Sequence, residues 1–198
     1  MGLSADTAAV PIVRATGPWL ITTATVLLVS NHGATYASAF SLAMCSAATA
    51  INLIIFDALG RERPSQVVGA LVLGLLSRLT FTGRIGPLVA PAIQLVLGTL
   101  IYLTPVATAE LYQLTTPMTA LSHSMLASYG SSIALVGVYV GCLAKGLTQS
   151  QSLAALFLAN AALGLKWAIR DAEDLGAPKL QALAAAAGFA ALGAMALK

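Results

Sequence analysis

Residues 15–56 read ATGPWLITTATVLLVSNHGATYASAFSLAMCSAATAINLIIF, a run of 42 residues that contains no Asp, Glu, Lys or Arg. A helix needs about 20 consecutive apolar residues to cross the hydrocarbon core of a bilayer. The run is therefore long enough to cross a membrane twice. The Asn31-His32-Gly33 tripeptide near its middle predicts the turn between the two crossings. This stretch predicts an integral membrane protein.

The composition of the whole chain agrees with a membrane location. Hydrophobic residues make up 58% of the sequence and charged residues only 9%, with a mean hydropathy of +0.87. In an average soluble domain about 25% of the residues are charged. The ten Lys and Arg residues and the seven Asp and Glu residues give a net charge of +3 and lie mainly at the ends of apolar stretches. Because they form no basic stripe, we exclude nucleic acid as a partner.

The fold class predicted from this pattern is all-α, a polytopic integral membrane helical bundle with six to seven transmembrane helices and short loops. Residues 1–198 form one transmembrane domain, with spans at 12–30, 34–57, 65–83, 87–108, 121–144, 150–169 and 179–197. The third span is the ambiguous one, because it contains Arg78 and a central Arg costs about 2.5–3.5 kcal/mol on insertion scales. Its guanidinium can extend towards the interface, so we favour a span over a re-entrant or interfacial helix.

The orientation follows from the Lys and Arg residues on each side of the membrane. For seven spans, six basic residues lie on the side of the N-terminus and four on the other, and for six spans the numbers are seven and three. The four residues opposite the N-terminus are Arg78, Arg84, Lys145 and Lys198. Both counts favour an N-terminus on the inside. An organellar membrane, the thylakoid among them, and the bacterial inner membrane all fit this composition.

Small residues recur at helical spacing in two of the predicted spans. Gly130, Ala134, Gly137 and Gly141 form one such face, and Ala184 with Gly188 forms another. Because lipid tails are as apolar as leucine, membrane helices associate through close packing at small residues and through hydrogen bonds between helices. We expect both faces to pack inside the bundle rather than to serve as a dedicated oligomer interface.

Polar side chains within or near the spans are the candidate site residues. They are Asn52, Asp57, Arg78, Gln94 and Asn160, which either line a polar path or form contacts between helices. An ionisable or amide group inside a membrane is costly enough to be a functional candidate by default. Amides also join neighbouring helices, at about 0.6 kcal/mol each, and we favour that role for the three amides. For Arg78, an ion pair with Asp57 or Glu110 is conceivable.

His32 and His123 are the only histidines in the chain. Imidazole is a common axial ligand of haem and a frequent ligand of other metals. His123, at the start of the fifth span, is therefore a candidate cofactor-binding residue, as a single axial ligand to a pigment. We favour an interfacial or hydrogen-bonded histidine over a ligand. Seven spans place His32 on the opposite side of the membrane, so one haem could not bind both.

No catalytic or metal-binding pattern stands out, since the sequence has no convincing Ser-His-Asp set, paired carboxylates, HExxH motif or Cys/His metal spacing. We therefore expect a protein that is not an enzyme. The favoured function is a non-catalytic subunit that packs within a larger respiratory or photosynthetic membrane complex. It would contact lipids, other subunits or a second copy of itself, and a bound lipid or pigment. The alternative is a small transporter or channel with a polar path near the bilayer midplane.

Overall fold

The computed structural model describes residues 9–57, 64–111, 119–170 and 178–197. In these ranges the chain forms eight α-helices and one 3-10 turn and no β-strand, which confirms the all-α prediction. The helices are α1 (Ala9–Val29), α2 (Ala34–Asp57), α3 (Pro64–Phe81), α4 (Val89–Leu103), α5 (Pro105–Leu111), α6 (Ala120–Ala144), α7 (Gln149–Arg170) and α8 (Lys179–Ala196). Four of them, α2, α6, α7 and α8, are long and apolar enough to cross a membrane. This indicates a membrane-embedded helical bundle.

The predicted span 87–108 is divided between two helices in the structure. α4 ends at Leu103, where Thr104 leaves the helical conformation with φ −127° and ψ 57°, and α5 begins at Pro105. Proline has no backbone N–H and a fixed φ, so it disrupts a helix interior but suits the first position of a new helix. The following segment, 112–118, lies outside the described residues.

The predicted turn at Asn31-His32-Gly33 is confirmed. A 3-10 turn at Ser30–His32 follows α1, and Gly33 has a φ of +98° before α2 begins. Side chains other than glycine rarely adopt a positive φ because their Cβ atom clashes with the backbone. The ambiguous third segment forms the continuous helix α3, which ends two residues before Gly83, a second glycine with a positive φ.

α6 is the central helix, and it packs against α1, α2, α4 and α7. Its contact with α4 requires glycine: a Cβ atom built on Gly98 would lie 2.6 Å from the carbonyl oxygen of Gly130. Gly141 faces Pro91 at the other end of the contact, so the two helices run antiparallel, with Gly137 against α4 between them. The expected internal packing of the small-residue face of α6 is therefore confirmed.

α8 lies at the edge of the bundle and packs chiefly against α7. Its buried residues are Ala182, Ala186 and Gly193, and a Cβ atom built on Gly193 would lie 2.9 Å from a leucine of α7. Ala184 and Gly188 are exposed, and a Cβ atom on Gly188 would meet nothing within 4 Å. The expectation that the Ala184 and Gly188 face packs internally is wrong, because α8 turns a different face towards α7.

Hydrogen bonds between distant residues define one end of the bundle, which we call the Ser30 end. Tyr139 OH donates to Ser30 Oγ over 2.8 Å, and Ser38 Oγ donates to the carbonyl oxygen of Pro87 over 2.7 Å. The 3-10 turn, the start of α2, the loop before α4 and the end of α6 therefore lie together. We call the opposite end, with the start of α6 and the end of α7, the Ser122 end.

Candidate functional site

Two of the predicted amides form hydrogen bonds between helices in the interior. Asn52 Nδ2 donates to Tyr129 OH over 2.9 Å, which joins α2 to α6. Gln94 Nε2 donates to Cys45 Sγ over 3.3 Å, which joins α4 to α2. Both amides are buried, with exposures of 5% and 1%. These bonds are interhelical contacts of the kind predicted for Asn52 and Gln94.

Asn52 and Cys45 belong to a buried column of small and polar residues along α2. The column consists of Ser38, Ser41, Cys45, Ala48 and Asn52. A spacing of three and four residues puts them on one helix face, over about 21 Å at 1.5 Å per residue. The side-chain oxygens of Asn52 and Gln94 have no hydrogen-bond partner among the described residues. The column and Gln94, which contacts it from α4, therefore contain one buried acceptor each, and each costs about 1–3 kcal/mol while unpaired.

Asn160 lies elsewhere, in a cavity of about 230 Å³ between α6 and α7 that α4 and α8 border. We call it the Asn160 pocket. Its polar lining residues are Tyr102, Ser124, Ser128, Ser131, Asn160 and Trp167. Trp167 Nε1 donates to Ser124 Oγ over 3.3 Å. Within the described residues the Asn160 side chain forms no hydrogen bond, and the buried hydroxyl of Tyr102 has no partner.

The Asn160 pocket can bind an uncharged group that both donates and accepts hydrogen bonds. None of its lining residues is charged. Ser128 and Ser131 donate to backbone carbonyl oxygens of their own helix, over 2.9 and 2.8 Å, which leaves their oxygens as acceptors. Lys166 lies beside the pocket, with Nζ 4.5 Å from the ring centroid of Tyr102, in a cation–π contact. The described residues contain no group of three His, Cys, Asp or Glu that could hold a metal ion.

Arg78 is exposed near the Ser30 end, in a groove of about 250 Å³ between α2 and α3 that we call the Arg78 groove. Its guanidinium forms no ion pair with a described residue. Asp57, whose side chain lies outside the described residues, ends α2 at the Ser122 end. From the start of α3 to Arg78 the helix rises by about 21 Å. Glu110 is exposed in α5, also at the Ser122 end. Distance therefore excludes the ion pair with Glu110, and the predicted pair with Asp57 falls on a side chain outside the described residues.

His123 lies in the first turn of α6 and is half-buried. The other histidine, His32, is at the Ser30 end, where its ring centroid lies 5.1 Å from that of Tyr36. Tyr139, which is bonded to the residue that begins the 3-10 turn, stands about 24 Å from His123 along α6 at 1.5 Å per residue. The two histidines therefore cannot ligate one group. His123 stays a candidate single ligand.

The predicted polar residues occupy three separate places. Asn52 lies in the interior column and Gln94 contacts that column from α4. Asn160 lies in its own pocket, and Arg78 lies in the groove between α2 and α3. No protein family, curated protein or solved structure matches the chain. Function is therefore inferred from the geometry of these places.

Sequence reasoning did not identify Tyr102, Tyr129 or Trp167 as site residues. Their residue types could have indicated them, because a buried tyrosine or tryptophan usually finds a hydrogen-bond partner for its polar atom. The sequence did not indicate which helix would supply that partner. Tyr129 meets an amide of α2 and Trp167 meets a serine of α6, and both contacts depend on the order of the helices in the bundle.

Proposed function

We propose that this protein is a non-catalytic multi-pass subunit that packs within a larger membrane protein complex of the respiratory or photosynthetic type. In this proposal α1, α2, α3, α4, α6, α7 and α8 each cross the membrane, and α5 lies at its surface. The outward face of α8 is the observation that carries the proposal.

Small residues form the centre of the outward face of α8. The exposed residues there are Ala184, Ala187, Gly188 and Ala191. Small side chains allow the backbone of a second helix to approach closely, and two of them four residues apart are the usual pattern of such contacts. A helix that faces fluid lipid does not need small side chains at its surface, because no second backbone has to approach it. The face is therefore better suited to a protein helix than to lipid.

The occupant that we propose for this face is an apolar transmembrane helix of another subunit. Apart from Lys179 at its start, α8 has no charged residue, so the partner helix would carry none at the depth of Ala184 and Gly188. A second copy of the chain is the other candidate occupant. It would give a dimer, with twice the 20.1 kDa mass of one chain.

The alternative function, a small transporter or channel, is supported by one observation. The unpaired oxygens of Asn52 and Gln94 are both at the interior column of α2, which runs through much of the bundle. Asn160 and Arg78 lie outside this column, so the four polar side chains do not line one cavity. For this reason we place the subunit ahead of the transporter.

The proposal is tested by purification from the native membrane in mild detergent. We would record the particle mass, the co-purifying chains and the visible absorption spectrum of the wild type and of Gly188→Leu. The matched control is Gly69→Leu on α3, because a Cβ atom on Gly69 also meets nothing within 4 Å.

A large particle with defined partner chains, lost in Gly188→Leu and kept in Gly69→Leu, is the expected result. A visible absorption band would indicate a bound pigment. The next variant would then be His123→Leu, which tests whether His123 is its ligand. A particle of one chain that is identical in all three proteins would refute the subunit and favour the transporter. A dimer that Gly188→Leu dissociates would assign the face to a second copy.

A further inference from the structure

The Ser30 end carries basic residues without acidic ones. The described residues 27–40, 76–91 and 142–153 contain Arg78, Arg84 and Lys145 but no Asp or Glu. Positive charge at this end therefore has no carboxylate side chain among these residues to neutralise it. An anion that pairs with one of these cations would therefore come from outside these ranges.

Arg78 lines a cavity, the Arg78 groove. It lies three residues before the last residue of α3, near the level where an arginine in a transmembrane helix reaches the lipid headgroups. Its guanidinium is exposed and has no ion pair with a described residue. A guanidinium at this level is within reach of the anionic groups of lipid headgroups.

The Arg78 groove has a narrow floor and an aromatic rim. Ala39, Ala43 and Gly74 form part of its lining, together with the rings of Tyr36, Phe40 and Phe81. The Tyr36 and Phe81 ring centroids are 5.9 Å apart, so aromatic rings of both helices stand beside the arginine. Aromatic side chains are enriched at this depth in membrane proteins because they fit between water and hydrocarbon.

The groove ends towards the middle of the bundle. One helical turn further from the Ser30 end than Ala43 and Gly74, Ser46 Oγ donates to the carbonyl oxygen of Ala70 over 2.7 Å. This hydrogen bond holds α2 and α3 in contact there. The cavity is thus polar at the end with Arg78 and apolar along the small residues that follow. This arrangement matches an amphipathic molecule with an anionic head and an aliphatic tail.

We propose that the Arg78 groove binds an anionic phospholipid. The guanidinium of Arg78 binds two phosphate oxygens, since its planar pair of N–H groups matches phosphate. The first part of one acyl chain lies over Ala39, Ala43 and Gly74. Basic pockets between transmembrane helices bind acidic headgroups on the cytoplasmic or matrix side. The orientation favoured by the sequence puts the Ser30 end on the opposite side, so the chemistry of the groove alone supports the proposal. The site rests on the part of the proposed function in which α3 crosses the membrane, but not on the outward face of α8, which lies on another helix.

Native mass spectrometry of the full chain in detergent tests the proposal. The probes are dioleoylphosphatidylglycerol, dioleoylphosphatidylcholine, dioleoylglycerol and inorganic phosphate. We expect phosphatidylglycerol to bind about tenfold more tightly than each of the others, a difference of about 1.4 kcal/mol. Equal binding of phosphatidylcholine or dioleoylglycerol would overturn the proposal. Equal binding of inorganic phosphate would assign the arginine to a free anion and would also overturn it.

Three variants locate the binding. Arg78→Gln removes the guanidinium and Ala43→Leu fills the floor, and each should weaken phosphatidylglycerol binding about tenfold. Arg84→Gln removes an exposed cation at the same end that does not line the groove, and it should change binding less than twofold. Wild-type affinity in either of the first two variants would refute the site. If a variant does not fold in detergent without lipid, the headgroup series on the wild type decides.

Discussion

α3 and α8 are both 18-residue helices at the edge of the bundle, and each packs chiefly against one neighbour, α2 or α7. Their outward faces differ. α3 presents large aliphatic side chains, with Val68, Leu71 and Leu75 between 58% and 69% exposed. α8 exposes Leu180 and Met195 near its ends, at 78% and 68%, but Ala184 and Gly188 at the centre of its outward face. Helices of equal length and similar position thus differ at the centre of their outward faces, which in our proposal meet lipid on α3 and protein on α8.

The inner faces of the two helices differ as well. Ser46 and Ser77 form hydrogen bonds across the contact between α2 and α3, to the carbonyl oxygens of Ala70 and Ala39, each over 2.7 Å. α8 contacts α7 mainly through small residues, with Gly193 as the closest fit. The stacked rings of Phe157 and Phe189 and one hydrogen bond, from Ser150 Oγ to the carbonyl oxygen of Ala196, add to this contact. Between membrane helices the hydrophobic effect provides little driving force, so hydrogen bonds and close packing have to hold them. The contact of α3 depends more on hydrogen bonds, and the contact of α8 depends more on close packing.

We expect the largest loss of unfolding free energy from a substitution at the contact between α8 and α7. Gly193→Leu places a side chain where a leucine of α7 already lies within 2.9 Å of the added Cβ, and we expect it to lower the free energy of unfolding by about 2–3 kcal/mol. Gly188→Leu, on the outward face of the same helix, should change it by less than about 0.5 kcal/mol. Thermal unfolding of the isolated chain in detergent measures both. Equal losses would show that the two faces are not distinct.

We expect a smaller loss of unfolding free energy in the interior column than at Gly193, and almost none in the pocket next to α8. Asn52→Leu removes the hydrogen bond to Tyr129 and should cost about 1–2 kcal/mol. Asn160→Leu removes a side chain without a hydrogen bond to a described residue and should cost less than about 0.5 kcal/mol. Denaturant titration in mixed micelles gives both values. A cost for Asn160→Leu that equals that of Asn52→Leu would mean that Asn160 also joins helices.

The smallest effect concerns the serines between α2 and α3. Ser46→Ala and Ser77→Ala should each lower the free energy of unfolding by about 1 kcal/mol, because each removes a hydrogen bond between helices. The control is Ser128→Ala, since Ser128 donates only within its own helix, to the carbonyl oxygen of Ser124. Hydrogen exchange of the α3 amides shows whether that helix alone loosens. Unchanged exchange of the α3 amides in both Ser46→Ala and Ser77→Ala would contradict the role of these bonds.

The comparison of α6 with α8 shows what a pattern of small residues in the sequence can and cannot predict about helix packing. Both helices carry small residues four apart, and the sequence predicts internal packing for both. The prediction is confirmed for Gly130 and Gly141, which face α4, and wrong for Ala184 and Gly188. Spacing places residues on one face of a helix, but which neighbour that face meets depends on where the helix stands in the bundle.

The sequence by itself determined the all-helical class, the turn at Gly33 and the positions of the apolar helices. These depend on local properties, namely the absence of charge over the thickness of a bilayer and the conformations open to glycine and proline. Only the tertiary structure decided that Asn52 meets Tyr129, that Arg78 has no ion pair with a described residue, and that α8 presents Gly188 outwards. Each of these depends on contacts between residues far apart in the chain, and helical spacing carries no information about them.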